Sequence, residues 1–142
     1  MTNSDAQIRH IYERWHESVI NGDLEALVAL YAADAVLETP LIIATLPDRT
    51  KGILKGKAEI RAFFEAGFRK LRGSAARWYR TGLFFANGRQ LVWEYPRATP
   101  NGDQIDLVEV MDIADGLITS HRVYWGWVGF KALTAALQSQ AR

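Results

Sequence analysis

Residues 91–125 have the sequence LVWEYPRATPNGDQIDLVEVMDIADGLITSHRVYW. Apolar and polar side chains alternate along much of this stretch, and Asn101-Gly102 and Asp115-Gly116 interrupt the alternation. A period of two is typical of strands with one buried face, and Asn-Gly and Asp-Gly are strong signals for hairpin turns. With a third such dipeptide at Asn87-Gly88, the segment that begins at Ala75 is predicted to form four antiparallel strands in a meander.

The residues before this meander follow a helical pattern, starting with a capping box at Ser4–Gln7. Three helices are predicted, over residues 4–21, 23–34 and about 57–71. A short strand (36–39) and a long loop (40–56) separate the second helix from the third, and a short helix over 130–137 closes the chain. Helices followed by a meander indicate an α+β domain with the helices packed on one face of the sheet.

Composition limits the classes of partner and cofactor. The 142 residues are 49% hydrophobic and contain no Cys, which predicts one domain over residues 1–142 without disulfides or thiolate metal sites. The 17 basic and 16 acidic residues are interspersed, so no basic stripe for nucleic acid is predicted. No apolar run is long enough for a membrane span and no signal peptide is evident, which predicts a cytoplasmic protein that binds no membrane. His10 and His16 lack the spacing of a paired metal site, and no metal is predicted.

The predicted hairpin register places two carboxylates side by side. A two-residue turn at Asn101-Gly102 pairs Glu94 with Glu109 and puts both on the apolar, helix-covered face. Like charges that face each other across a sheet are destabilising, and burial adds a desolvation cost. The pair therefore has little structural reason to exist and is predicted to supply a base and an acid. The alternative is a hydrogen-bonded structural network in which His121 neutralises one of the two carboxylates.

The last turn, at Asp115-Gly116, leaves two registers open. A two-residue turn places Arg122 opposite Glu109, whereas a three-residue loop over 114–116 places His121 there. The second register gives the more apolar inner face, because it also brings Val123 and Trp125 inward. It predicts one row across four strands, formed by Thr81, Glu94, Glu109 and His121.

The outer face of the predicted sheet combines bulky aromatic side chains with arginines, a composition typical of interface cores. Its members are Trp78, Arg80, Trp93, Tyr95, Arg97, Val108, Val110, Arg122 and Tyr124. A homodimer through this face is predicted. The alternative is a twisted sheet that tolerates surface aromatics.

Three segments carry a resemblance to a known family: LEALVALYAADAVLETP (24–40), AEIRAFF (58–64) and ITSHRVYWGW (118–127). They resemble the NTF2-like superfamily and, within it, the group of ketosteroid isomerases, limonene-epoxide hydrolases and SnoaL-like polyketide cyclases. The resemblance covers nearly the whole chain. It implies a cone-shaped α+β fold, in which a curved antiparallel sheet wraps around three N-terminal helices and holds a small hydrophobic substrate without a cofactor.

The catalytic sets of these families carry over only in part. Against ketosteroid isomerase, the general-base Asp falls on Thr39, the oxyanion-hole Tyr on Trp15, and the oxyanion-hole Asp on Glu109. Against the epoxide hydrolase, the Arg falls on Val92, the general-acid Asp on Glu94 and the second Asp on Val123. The resemblance therefore implies a pocket at these positions and argues against both activities by their known mechanisms.

These observations predict a cofactor-independent isomerase, dehydratase or cyclase that transfers protons on a small hydrophobic substrate. Glu94 is the predicted base, Glu109 the protonated donor to a developing oxyanion and His121 the tuning or shuttling group. The predicted substrate-binding residues are Tyr12, Trp15, Thr39, Phe64, Thr81, Val123 and Trp125. Two alternatives are a non-catalytic ligand-binding or dimerisation module and an epoxide hydrolase that uses both glutamates.

Overall fold

Helices supply most of the first half of the chain and strands most of the second. The computed structural model describes residues 2–141. Within them, the helices are α1 (Asp5–Asn21), α2 (Leu24–Val28), α3 (Leu41–Thr45), α4 (Lys57–Leu71) and α5 (Trp127–Gln140). The strands are β1 (Tyr31–Glu38), β2 (Ile53–Lys55), β3 (Phe85–Ala86), β4 (Gln90–Glu94), β5 (Ala98–Thr99), β6 (Gly102–Asp103), β7 (Leu107–Ala114) and β8 (Leu117–Trp125). The predicted α+β class is confirmed.

Six of these strands form a mixed sheet in the order β2-β1-β8-β7-β4-β3. The neighbours are antiparallel except β1 and β8, which run parallel. The prediction of an antiparallel sheet is therefore wrong for this one pair. Strands β5 and β6 form a separate two-stranded ribbon that projects between β4 and β7.

The two long helices of the first half form where the sequence predicts them. At the start of α1, the Ser4 side chain accepts from the backbone N–H of Gln7, and the Gln7 side chain accepts from the N–H of Ser4. Gly22 ends this helix in the left-handed conformation, which glycine adopts without steric cost. In α4, the buried Phe63 and Phe64 face the core.

The predicted second helix ends early. Residues 24–28 are helical, but the chain becomes β1 at Tyr31. The reason is non-local: β1 pairs with β2 on one side and β8 on the other, and this pairing buries Tyr31, Ala35 and Leu37. Sheet pairing overrides the local helical pattern of this alanine-rich stretch. The predicted loop 40–56 likewise contains α3 and β2, and the closing helix is longer than predicted.

The predicted pairing of Glu94 with Glu109 is wrong by one residue. In the structure Trp93 lies opposite Glu109, and Glu94 lies opposite Val108. A one-residue slip moves every side chain to the other face of a sheet. Glu94 is therefore exposed, whereas Trp93 and Tyr95, which were predicted on the outer face, are buried. Thr81 is exposed in a segment without strand structure, so the predicted row across four strands does not form.

Neither predicted register of the last hairpin is correct. Asp115 and Gly116 both have positive φ, at 53° and 74°, and form a two-residue turn between Ala114 and Leu117. A bulge between Asp112 and Ile113 then shifts the pairing, so that Glu109 lies opposite Val123. The bulge restores the predicted side-chain parity, because His121 and Trp125 still face the same side of the sheet as Glu109.

The outer face thus has fewer aromatic residues than predicted. Val108, Val110, Arg122 and Tyr124 remain on it. Arg122 donates to both carboxylate oxygens of Asp112, at 2.7 and 3.1 Å. The homodimer through this face stays a prediction. Among residues 2–141, no helix combines the length and apolar character needed to cross a membrane.

A buried asparagine ties the N-terminus to the two hairpin turns. Asn3 Nδ2 donates to the carbonyl oxygens of Gly88 (2.9 Å) and Ile113 (2.8 Å), and Asn3 Oδ1 accepts from Gly116 N (2.9 Å). These three bonds use both N–H donors and the oxygen acceptor of the Asn3 amide.

Substitution of Asn3 is therefore expected to destabilise the sheet. Asn3→Ala removes the bonds to the carbonyl of Ile113 and the N–H of Gly116, whereas the carbonyl of Gly88 still accepts from the backbone N–H of residue 3, and we expect the free energy of unfolding to fall by about 2–3 kcal/mol. Urea denaturation measures it. The matched control is Asn101→Ala in the exposed turn of the ribbon, for which we expect a change within about 0.5 kcal/mol. Equal losses of stability in the two variants would contradict a stabilising role for the Asn3 side chain.

Candidate active site

A cavity of about 120 Å³ lies between α1, α4 and the inner face of the sheet. Its apolar lining consists of Val19, Leu37, Leu41, Phe63, Phe64, Gly67, Phe68, Leu71, Ala75, Trp78, Leu107, Val123 and Trp125. Its polar lining consists of Trp15, Thr39, Thr45, Arg80, Tyr95, Glu109 and His121. Mostly apolar walls with a few polar groups are typical of sites for small molecules.

A chain of three hydrogen bonds leads from α1 to the cavity. Trp15 Nε1 donates to Tyr31 Oη at 3.1 Å, and Tyr31 Oη lies 2.8 Å from His121 Nδ1. His121 Nε2 lies 2.9 Å from Glu109 Oε1. His121 is 1% exposed and Glu109 is 4% exposed. The carboxylate is therefore held in place by a chain of buried side chains that spans α1, β1, β8 and β7.

Counting donors and acceptors assigns the protons of this chain. Tyr31 Oη accepts from the indole of Trp15, and burial raises the pKa of Tyr31, so that its hydroxyl keeps its proton. This proton needs an acceptor, and His121 Nδ1 provides it. His121 is then the neutral tautomer with its proton on Nε2, and it donates to Glu109 Oε1. Glu109 is the acceptor at the end of the chain.

Tyr95 adds a protonated hydroxyl beside this carboxylate. It is buried, and burial followed by the negative charge of Glu109 raises the pKa of Tyr95 well above its usual value. The phenol therefore stays neutral over the physiological pH range and can donate a hydrogen bond.

Thr39 and Trp125 form a second polar contact in the cavity wall. Trp125 Nε1 donates to Thr39 Oγ1 at 3.2 Å, which links β8 to the segment after β1. The Thr39 oxygen also accepts from the backbone N–H of Leu41 at 3.2 Å. A threonine hydroxyl has no basicity for proton abstraction at neutral pH, so Thr39 serves as part of the wall.

Most of the predicted site residues meet at the cavity, but not all of them. The lining includes Trp15, Thr39, Phe64, Glu109, His121, Val123 and Trp125. Tyr12 is buried next to it and packs against the rings of Phe84 and Trp93. Glu94 and Thr81 are exposed and lie outside the cavity.

Several residues that line or support the cavity are not among the predicted site residues, and Trp78 is one that was predicted on the outer face. Arg80 and Tyr95 were predicted on the outer face, and Tyr31 on a helix. Gly67 lies in the interior of α4, where glycine is unfavourable. A glycine inside an otherwise regular helical pattern was the available signal for this position.

His16 is a further buried residue that the sequence did not single out. His16 Nδ1 lies 2.8 Å from the carbonyl oxygen of Tyr12, and burial lowers the pKa of His16, which keeps its ring neutral near pH 7. His16 Nε2 and Trp93 Nε1 have no hydrogen-bond partner within residues 2–141. Within the same range, no three His, Cys, Asp or Glu side chains cluster as metal ligands would.

Comparison with known proteins identifies the family. The model of the SnoaL-like domain matches residues 12–121. The chain belongs to the SnoaL-like domain family. A curated relative, the steroid Δ-isomerase of Nocardioides simplex, is 30% identical over 124 residues, which cover 84% of this chain and 90% of the relative.

Solved structures of this family and its superfamily have the same fold. A SnoaL-like protein from Burkholderia thailandensis E264 matches with a TM-score of 0.69 and 17% identity, over 89% of this chain and all of the other. An NTF2-like protein from Cytophaga hutchinsonii ATCC 33406 matches with a TM-score of 0.57 and 14% identity, over 89% of this chain and 93% of the other. The predicted NTF2-like fold and SnoaL-like membership are confirmed.

The proton assignment of the chain can be measured directly. In the wild-type protein, we expect the ¹⁵N resonances of His121 to show a neutral ring protonated on Nε2. Tyr31→Phe removes the donor to Nδ1 and the acceptor for Trp15, so we expect the tautomer preference to weaken and the free energy of unfolding to fall by about 1–3 kcal/mol. Tyr79→Phe, at an exposed tyrosine, is the control. A wild-type ring protonated on Nδ1 would overturn the assignment.

The empty space beside Gly67 gives a testable prediction about the wall of the cavity. A Cβ built on Gly67 meets no atom within 4 Å. Gly67→Ala is therefore expected to raise the free energy of unfolding by about 0.5–1 kcal/mol, through helix propensity alone. Ala62→Gly, at an exposed position of the same helix, should lower it by a similar amount. A destabilised Gly67→Ala variant would show that the wall of the cavity is closed at this position.

Proposed function

We propose that this protein is a cofactor-independent enzyme that transfers a proton on a small, largely apolar carbonyl compound, as an isomerase, dehydratase or cyclase does. The observation that carries the proposal is the buried Glu109 carboxylate, which lines an apolar cavity and is oriented by His121. This geometry places an oriented carboxylate oxygen at the wall of the space where a substrate would lie.

In the proposed reaction, Glu109 is the general base. A C–H bond next to the substrate carbonyl breaks, its proton moves to the carboxylate oxygen that His121 does not hold, and the electron pair delocalises into the carbonyl as an enolate. Return of the proton to another carbon completes an isomerisation. His121 positions the carboxylate by donating from Nε2, and Tyr95 is the neutral donor for charge that develops on oxygen.

The family and the cavity both support this proposal. The relative from Nocardioides simplex is named a steroid Δ-isomerase, which is a proton-transfer type of activity. The cavity of about 120 Å³ is close to the volume of about 150 Å³ that holds benzene in an engineered protein core. An apolar group of about one ring fits this space.

The exposed position of Glu94 changes the mechanism that the sequence predicts. A base and an acid supplied by two adjacent glutamates is not available, because Glu94 lies on the far side of the sheet. The epoxide-hydrolase alternative loses its second carboxylate for the same reason. One carboxylate that first accepts and then returns the proton is sufficient for an isomerase.

A non-catalytic ligand-binding module is the second candidate. Thr39 occupies the position where the ketosteroid-isomerase resemblance places a base, and its hydroxyl is engaged by Trp125. An apolar cavity of this kind would also hold a ligand without chemistry. The homodimer and the cytoplasmic location remain predictions, and the exposed Tyr124 on the outer face supports the dimer.

Deuterium exchange tests the proposed base. We expect the wild-type protein to accelerate exchange at the carbon next to the carbonyl of a six-membered β,γ-unsaturated cyclic ketone in D₂O, followed by NMR. Glu109→Gln should lower this rate by about 10²–10⁴-fold, because the amide cannot accept the proton. Circular dichroism verifies that the variant is folded.

Glu94→Gln is the matched control and should retain the wild-type rate. A rate that survives Glu109→Gln, or one that is lost in Glu94→Gln, would contradict the assignment of the base. Saturable binding of the ketone without any exchange in the wild-type protein would favour the ligand-binding module.

A further inference from the structure

Arg80 is the one Lys or Arg side chain among the described residues that line the cavity. It lies between the 3₁₀ turn of Ser74–Arg77 and β3, in a segment without regular structure. Arg80 Nη1 donates to the carbonyl oxygens of Ala75 and Trp78, both at 3.0 Å. Its Cζ lies 5.7 Å from the centroid of the Tyr95 ring. The guanidinium is therefore fixed on one side by the backbone and rests on a wall of the cavity.

The other edge of this guanidinium has no protein partner. Arg80 Nε is buried and has no acceptor among residues 2–141. Nη2 makes no hydrogen bond to them, and no carboxylate of this part of the chain forms an ion pair with Arg80, whereas Arg122 is paired with Asp112 on the outer face. The Nε–H and Nη2–H groups form the edge that binds a carboxylate with two parallel hydrogen bonds. A buried N–H without an acceptor is costly, which indicates that a bound molecule supplies it.

Tyr95 lies near both this cation and the proposed base. The Arg80 Cζ lies 5.7 Å from the centroid of the Tyr95 ring, and the opposing charges of Glu109 and Arg80 both act on the tyrosine hydroxyl. The cavity thus has a positive group and a negative group near one phenol, within mostly apolar walls. A ligand that is neutral throughout would leave the positive group unmatched.

We propose that the substrate is a compact carboxylic acid with an apolar body of about one ring, whose carboxylate binds the Nε and Nη2 edge of Arg80. This inference deepens the proposed function. Only the turnover of the bound anion rests on that function, because Arg80 would bind the carboxylate whether or not a reaction follows. Arg80 anchors the anion, and the apolar body lies against Phe64 and Trp125. A C–H bond next to a carbonyl group carried by that body then faces Glu109, so that the electron pair can delocalise as the enolate of the proposed reaction.

Two probes of nearly equal size measure how much the negative charge of the ligand contributes to binding. Phenylacetate and phenylacetamide share one ring and one carbonyl group, and they differ in the negative charge. We expect phenylacetate to bind the wild-type protein at least about tenfold more tightly by calorimetry, which is the range for a hydrogen bond to a charged group. In ¹⁵N-edited spectra, the Nε–H resonance of Arg80 should move on addition of phenylacetate and stay in place with phenylacetamide.

Three variants assign the preference to Arg80. Arg80→Gln should abolish the preference for phenylacetate, Arg80→Lys should retain part of it, and Arg97→Gln, at an exposed arginine, should match the wild type. Glu109→Gln should retain or increase the preference, because it removes a negative charge from the cavity. Exchange activity that survives Glu109→Gln, together with an intact preference for phenylacetate, would therefore contradict the proposed base and leave the anion site standing.

The inference is overturned if the two probes bind the wild type equally or if phenylacetate fails to bind in the millimolar range. A preference that survives Arg80→Gln overturns it too. The wild-type titration decides even if Arg80→Gln does not fold, because an Arg80 Nε–H resonance that ignores saturating phenylacetate excludes contact with the carboxylate.

Discussion

The hydrogen bond between His121 Nε2 and Glu109 Oε1 is the contact on which the arrangement of the site depends. An ionised carboxylate that is buried without partners costs several kcal/mol, and burial is tolerated where a donor is fixed to receive it. His121 is fixed because Tyr31 donates to its other nitrogen, and Tyr31 is fixed because Trp15 donates to it. One chain of side chains thus joins the first helix to three strands and sets the direction in which the carboxylate points. Loss of any of these hydrogen bonds would therefore loosen the position of the proposed base.

The bulge in the last hairpin makes that contact geometrically available. Without an extra residue in β8, the two-residue turn at Asp115-Gly116 would place Arg122 on the inner face and His121 outside. The bulge after Ile118 reverses this parity, and His121 then meets Glu109 along a diagonal of the sheet, because its direct partner is Met111. The predicted placement of His121 on the same face as Glu109 is therefore correct although the predicted turn is wrong, because the additional residue lies in β8 and not in the loop.

Local signals explain which parts of the fold could be predicted from the sequence. The first long helix has a capping box and a glycine at its end, α4 has a continuous apolar stripe, and both form as predicted. The predicted helix around Tyr31 is wrong because the strands that pair with this segment, β2 and β8, lie about 20 and 90 residues further along the chain. No window of local sequence contains that information. The Glu94 and Glu109 register fails for a different reason: one more residue separates β6 from the Val108 pairing position than separates β5 from Glu94, since Ala98 pairs with Asp103 but Glu94 pairs with Val108. This one-residue offset, which the turn dipeptide does not reveal, moves the side chains of β4 to the opposite face.

In the candidate site, too, the residues on regular strands could be predicted from the sequence and those in irregular segments could not. Glu109, His121, Val123 and Trp125 lie on long paired strands, where periodicity carries real information about which face a side chain occupies. Arg80 lies in a segment that has neither helical nor strand period, so a rule based on alternation assigned it to the wrong face. Its position depends instead on two backbone carbonyls, of Ala75 and Trp78, that the 3₁₀ turn leaves facing it. The regular strands thus hold the proposed base, and the irregular segment supplies the positive charge of the proposed anion site. Differences in substrate between proteins that share this fold are therefore expected to concentrate in the residues between α4 and β3, because changes there alter the ligand without disturbing the buried chain that holds the carboxylate.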